Sequence, residues 1–295
     1  MRVAVTGLGL LCGLGDAPDA VRARLLAGDS AIAPLGEPEW LDAPVAKVAG
    51  PRLERWLLRR KDAKLLPRAA ALALPAAGDA LVGWSGDRER LGLFFGVRRE
   101  PPDTGEADPA IAASARDGAL DTERLSGAGR DLYPPLLPLR TLPNMVLAHV
   151  SINLGIRGPA DTSSGDAVAG FMALRAAIAA VAEGRCPAAL AGAAVSEVDC
   201  RSLRDRARQG LSTPPGEAAV VLRLEPDGTP GALFSVTDLG ATFSAESAGN
   251  LSYSHHSGLG DCGPVDALLA LVLGPPGEVR ARSALGSGAR VFKSA

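Results

Sequence analysis

Aromatic residues are scarce in this 295-residue chain, at 4%, and histidine occurs only three times, at positions 149, 255 and 256. Net charge is nearly absent too. Thirty-one basic residues face 33 acidic ones, and the resulting charge of −2 gives no general attraction to nucleic acid or anionic lipid. Cysteine is sparse and scattered: Cys12, Cys186, Cys200 and Cys262 form no C-x-x-C pair. That spacing argues against a zinc site or a disulfide framework and fits a reducing cytosol, so no metal or other cofactor is expected. No apolar stretch reaches the roughly 20 residues that a membrane span requires. The opening "MRVAVTGLGLLCGLG" places one arginine before an apolar run, as a signal peptide does. Its glycines at 7, 9, 13 and 15 and the lack of a small-residue cleavage site favour a buried strand running into a loop. A cytoplasmic location is expected.

What the chain has in quantity is small apolar residues: 47% of it is hydrophobic and 22% charged, the balance of a globular protein with room for a large core. Short apolar runs at 2–8, 91–97, 188–195, 217–225 and 232–240 read as strands. Ala- and Leu-rich segments at 19–27, 68–82 and 168–183 between them read as helices. Continuous apolar strands alternating with helices predict an α/β protein whose sheets are covered on both faces. Pro75 inside "AAALALPAAGDAL" predicts a kink or a helix end. The segment 98–142 is rich in Pro, Gly and Asp and lacks periodicity, which suits an excursion lining a site or an interface.

One stretch has the form of an approach to an active site: "GPADTSSGDAVAG", 158–170. A Gly-Pro turn leads through small polar residues onto a helix apolar on all sides, so that helix should be buried between layers. Thr162, Ser163 and Ser164 offer capping oxygens, and Asp166 sets a negative charge at the helix's positive end. A helix start of this kind lowers the pKa of a thiol in many proteins, but no thiol is present.

Several segments, taken together and in order, resemble the β-ketoacyl synthases. They are "RVAVTGLGLLCGLG", "PNMVLAHVSINLGIRGP" (143–159), "GEAAVVLRLE" (216–225), "GLGDCGPVDALLALVL" (258–273) and "SALGSGARVF" (283–292). The resemblance implies a thiolase-like α/β fold, layered αβαβα, from two related halves. Residues 1–225 would form the first half and 226–295 a shortened second half of about three strands and one long helix. It also implies a cysteine nucleophile at the start of the buried helix and two histidines that polarise the extender thioester. Laid on without a gap, the nucleophile falls on Ala167, whose methyl group cannot form a thioester. Asp166 beside it would raise a neighbouring thiol's pKa by like-charge repulsion. The segment of the first histidine is deleted after Leu239. The second histidine falls on Ser257, with His256 adjacent, and the lysine before it on Ser252.

Three readings follow. In the first, the chain is a non-catalytic partner of the chain-length-factor kind. It pairs with an active ketosynthase as a heterodimer, or with a second copy, and works with an acyl carrier protein. Ser164, Asp166, Ala167, His256, Ser257 and Gly258 would then bound a vestigial pocket that holds nothing covalently. In the second, a remodelled enzyme uses Ser163, Ser164 or Cys262 as nucleophile, the last with His255 or His256. The third, a nicotinamide dehydrogenase, is disfavoured. The G-x-G-x-x-x-G spacing of Gly7, Gly9 and Gly13 is one residue longer than the dinucleotide fingerprint, and neither Tyr133 nor Tyr253 has a lysine four residues on. Arg201, Arg204, Arg206 and Arg208 read as a solvated face or as a docking patch for an acidic carrier protein, with "LRRKDAK" (58–64) as ambiguous. His149 reads as a hydrogen-bonded core histidine.

Overall fold

The computed structural model describes residues 1–36, 43–98, 105–243, 258–282 and 287–295. The predicted apolar runs all become strands of one eight-stranded mixed sheet: β1 (Arg2–Cys12), β2 (Gly92–Arg98), β3 (Ala160–Gly165), β4 (Ala189–Ser196), β5 (Glu217–Pro226), β6 (Phe234–Phe243), β7 (Gly277–Arg282) and β8 (Ser287–Ser294). Their order across the sheet is β7-β8-β6-β1-β5-β4-β2-β3. β2 runs parallel to β3 and β4, and the remaining pairs are antiparallel. The C-terminal strands join β1 through β6, with Arg2–Val5 against Phe234–Thr237, so the two expected halves share a single sheet, and the described residues form three layers, helix–sheet–helix, in place of the five expected.

Helices cover both faces, which explains why the strands are apolar without alternation. On one face lie α1 (Pro18–Leu26), α4 (Ala169–Ala182) and α6 (Asp266–Leu273), where Phe171, Ile178 and Leu268 pack with Val220 and Val291. On the other lie α2 (Arg68–Ala80) and α3 (Met145–Leu154), where Leu72 and Val150 pack with Phe95 and Leu190. α5 (Cys200–Arg208) follows β4. The expected long C-terminal helix is only eight residues, preceded by a single 3₁₀ turn over Gly263–Val265 that contains Pro264. Two local expectations are corrected. Of the two outcomes expected at Pro75, the helix end does not occur: α2 continues to Ala80 with Pro75 and nine further residues buried. Thr162, Ser163 and Ser164 do not cap α4. Parallel pairing with Phe95, Gly96 and Val97 of β2 draws them into β3, and the residue before α4, Val168, makes no side-chain cap.

His149 is 7% exposed, with Nε2 3.3 Å from the Leu139 carbonyl, as expected of a core histidine. Among the described residues no helix is long and apolar enough to cross a membrane.

Candidate functional site

Strand β3 ends at Gly165, a three-residue elbow follows, and α4 begins at Ala169. Ala167 is half-buried in that elbow. Asp166 Oδ1 accepts the Val168 N–H at 3.4 Å, so the expected acidic group at the helix start is present. Two glycines hold the elbow in place. A Cβ on Gly96 would lie 2.5 Å from the Gly170 nitrogen, and one on Gly170 would lie 2.2 Å from the Pro264 carbonyl oxygen. The start of α4 is thereby wedged between β2 and the 263–265 turn.

The chemistry expected of such a site is absent from the described part of it. Ala167 offers only a methyl group. Ser164 is exposed and its hydroxyl donates to the Arg98 carbonyl at 3.3 Å, with no base beside it. His255, His256, Ser257 and Ser252 lie outside the described residues. Gly258 is buried against Asp29 and Ser30, and its carbonyl accepts the Ala31 N–H at 2.7 Å. Cys262 is fully buried, with its thiol 3.5 Å from the Leu259 carbonyl. Burial pushes its pKa well above the ordinary thiol value, and Asp266 and Asp261 push it further, so it is held as a thiol rather than a nucleophilic thiolate. Burial likewise raises Cys12 to about 11 and raises Cys186. Among the described residues no group of three or more His, Cys, Asp or Glu is placed to hold a metal ion.

Beside the turn lies a charge network that sequence reasoning missed. Arg98, at the end of β2, donates to Asp199 at 2.8 Å and to Ser202 at 2.6 Å, and lies 3.6 Å from Glu197. Arg206 donates to Asp261 at 2.8 Å and to the Thr213 carbonyl at 2.6 Å. Burial works to raise the Asp261 pKa, but Arg206 and the hydrogen bond from the Gly263 N–H outweigh it and hold the group below its ordinary value. Burial drives Asp266 the other way, well up, aided by the charge of Asp261. This network corrects one docking candidate: the Arg206 side chain is 13% exposed and turned inward. Arg201, Arg204 and Arg208 remain partly exposed, grouped around Asp205 at 3.7–4.0 Å. The only hint in the sequence was the acidic "SEVD" directly after an apolar strand.

Glu197 gives the network a pH dependence. Burial raises its pKa from 4.5 to about 7, with Asp261 and Asp199 adding to the rise and Arg98 and Arg206 opposing it. The folded state therefore holds this proton more tightly than the unfolded chain. The stabilisation is full below about pH 4.5 and is lost as pH climbs toward 7. Glu197→Gln, which cannot ionise, is expected to raise the unfolding free energy at pH 7.5 by about 2 kcal/mol relative to its effect at pH 5. Denaturant titrations at the two pH values measure this, and equal effects at both would contradict the assignment.

The structure thus sets a strand–elbow–helix seat on a mixed sheet covered on both faces, an α/β architecture. The comparisons place it in the thiolase-like class. The model of the β-ketoacyl synthase N-terminal domain matches residues 1–229, and the chain belongs to that family. It is 29% identical over 198 residues to nodulation protein E of Rhizobium sp. (strain N33), covering 65% of this chain and 46% of that protein. Nodulation protein E of Rhizobium leguminosarum bv. trifolii is equally similar over 197 residues. The chain thus spans about half the length of the curated relatives it matches. Among solved structures, a type II polyketide acyl-carrier protein in complex with its ketosynthase aligns with a TM-score of 0.75 at 15% identity, covering 100% of this chain and 99% of the other. A β-ketoacyl synthase from Burkholderia phymatum aligns at 0.73 and 16%, covering 99% of each chain. The ishigamide ketosynthase/chain length factor aligns at 0.71 and 18%, covering 100% and 99%. The fold is thiolase-like α/β, and its C-terminal part holds three strands and one α-helix among the described residues.

Proposed function

We propose that this chain is a non-catalytic ketosynthase-like subunit of the chain-length-factor kind, which shapes the acyl cavity of an active ketosynthase partner in type II polyketide, polyene or fatty-acid assembly. The observation that carries this reading is Ala167: a methyl group sits in a well-formed elbow where the family's chemistry needs a thiol. The scaffold around it is intact, with Gly96 and Gly170 still permitting the close approach that seats the helix. In this reading residues 1–225 are the ketosynthase-like half and 226–295 its reduced counterpart. Ser164, Asp166, Ala167, His256, Ser257 and Gly258 bound a pocket that contributes shape, with Ser257 or His256 marking the lost histidine. Strand β3 supplies a surface for the partner. It is an edge strand, bonded only to β2 among the described residues, and an open edge invites pairing with another chain. Arg201, Arg204 and Arg208 are the docking candidates for an acidic carrier protein.

Two of the similar structures bear on the partners: one is a ketosynthase in complex with its acyl-carrier protein, the other a ketosynthase/chain length factor. The competing reading is a remodelled condensing enzyme with Ser163, Ser164 or Cys262 as nucleophile. It is weakened by the burial of Cys262 and by the Ser164 hydroxyl donating to the Arg98 backbone, with no base beside it among the described residues.

Reconstitution separates the two. With a candidate active ketosynthase and a loaded carrier protein, product chain length is expected to change when this subunit is added, and the subunit alone is expected to give no condensation. Ala167→Cys is expected to stay at background, because the histidine functions are missing as well. Turnover by that variant alone would overturn the reading of the second half.

A further inference from the structure

On the sheet face opposite α4, the first turns of α2 and α3 converge on the ends of β2 and β4 around a cavity of about 480 Å³. It falls within the range of about 300–1,000 Å³ usual for small-molecule sites. None of Ser164, Asp166, Ala167 or Gly258 lines it, and it adjoins the elbow only through Val97 and Arg98 at the end of β2. Its body is apolar, walled by Leu66, Val97, Leu142, Val146, Ala194 and Val198. Its polar groups are mainly cationic: Lys47, Arg68, Arg98 and Arg140 against Asp199 and Glu217.

These cations differ in how far they are satisfied. Arg68 is spent on Glu217, at 2.6 Å. Arg98 and Arg140 are paired through their terminal nitrogens, with Asp199 and Glu106 respectively, yet Nε of each is buried with no acceptor among the described residues, as is Nε of Arg206 and Arg290 away from the cavity. Lys47 is exposed and has no carboxylate partner among the described residues. Buried N–H groups without an acceptor are rare because each costs the full desolvation of a donor. Neither helix carries a side-chain cap at this end, so their positive ends add to the same potential.

The geometry points to a non-covalent site for an amphipathic monoanion, a medium-chain carboxylate, whose tail fills the apolar body and whose head group lies among Lys47, Arg98 and Arg140. The apolar walls exclude a bare inorganic anion, and the cations disfavour an amine. This site does not depend on subunit pairing, so its test and that of the proposed function fail separately.

The test is calorimetric titration of the full chain with octanoate, octanol, octylammonium and inorganic phosphate. Octanoate is expected to bind, octanol about tenfold more weakly, and octylammonium and phosphate not at all. Lys47→Glu, at an exposed side chain with no hydrogen bond or ion pair among the described residues, is expected to weaken octanoate about tenfold and leave octanol unchanged. Val146→Trp is expected to abolish both by filling the cavity, with circular dichroism reporting whether the fold persists. No octanoate binding by the unaltered chain would overturn the assignment, as would octanoate binding unchanged by Lys47→Glu.

Discussion

Glu217→Ala is expected to lower the free energy of unfolding by about 3 kcal/mol, the low end of the penalty for breaking a buried ion pair. Glu217 opens β5 and is 2% exposed. One carboxylate oxygen accepts from the Val48 N–H at 3.0 Å and from Arg68 at 2.6 Å, and the other from Arg68 at 2.8 Å and the Ser196 hydroxyl at 2.8 Å. Four hydrogen bonds from three separate segments thus converge on one group: from Val48, from Arg68 at the start of α2 and from Ser196 at the end of β4. Removing it leaves the Val48 amide and the Ser196 hydroxyl without their acceptor, and Arg68 without its counter-charge. The Arg68 side chain is 34% exposed, so water recovers part of its loss, which sets the expectation at the low end of the range. Glu217→Gln retains an acceptor and is expected to cost clearly less. Denaturant unfolding of the three proteins measures the series, and an alanine variant as stable as the parent would remove Glu217 from the account of the core.

Gly170→Val is expected to cost about 3 kcal/mol or more and to loosen the 263–265 turn. The new Cβ would meet the Pro264 carbonyl oxygen at 2.2 Å, Ala193 Cβ at 3.2 Å and Leu268 at 3.2 Å. The first of these is backbone and cannot rotate away, so either α4 or the turn must move. Pro264 leads into α6, which packs on α4 and on β7, so the displacement passes to the C-terminal strands. Limited proteolysis should show earlier cleavage around the turn, and a thermal melt the loss of stability. A variant with unchanged melting and cleavage would mean that the elbow is not wedged as described.

The strands were readable because both faces of the sheet are covered, so burial writes each of them as an unbroken apolar run. β2, β4 and β5 begin and end within a residue or so of the expected positions. The elbow was readable for the same reason, since a Gly-Pro turn, small polar residues and an all-apolar helix have few other uses. Contacts between distant segments were not readable. Ser163 and Ser164 carry the signature of helix caps, but the register of β3 on β2 overrides it. Arg206 looks like its neighbours on an arginine-rich helix, and only Asp261, 55 residues later, turns it inward. Pro75 signals a break that the packing of α2 does not permit. The cavity between α2 and α3 left no trace in the sequence, because its walls come from six segments and its residue types are ordinary in each.

The claim at the centre of the account is that the chain bonds no acyl group of its own. Intact-protein mass spectrometry after incubation with a loaded acyl carrier protein tests it most directly, with the chain alone and with an active ketosynthase present. The account predicts an unchanged mass for this chain in both samples, with the acyl adduct confined to the ketosynthase. A mass increase matching the acyl group on this chain, mapped to Ser163, Ser164 or Cys262, would contradict it.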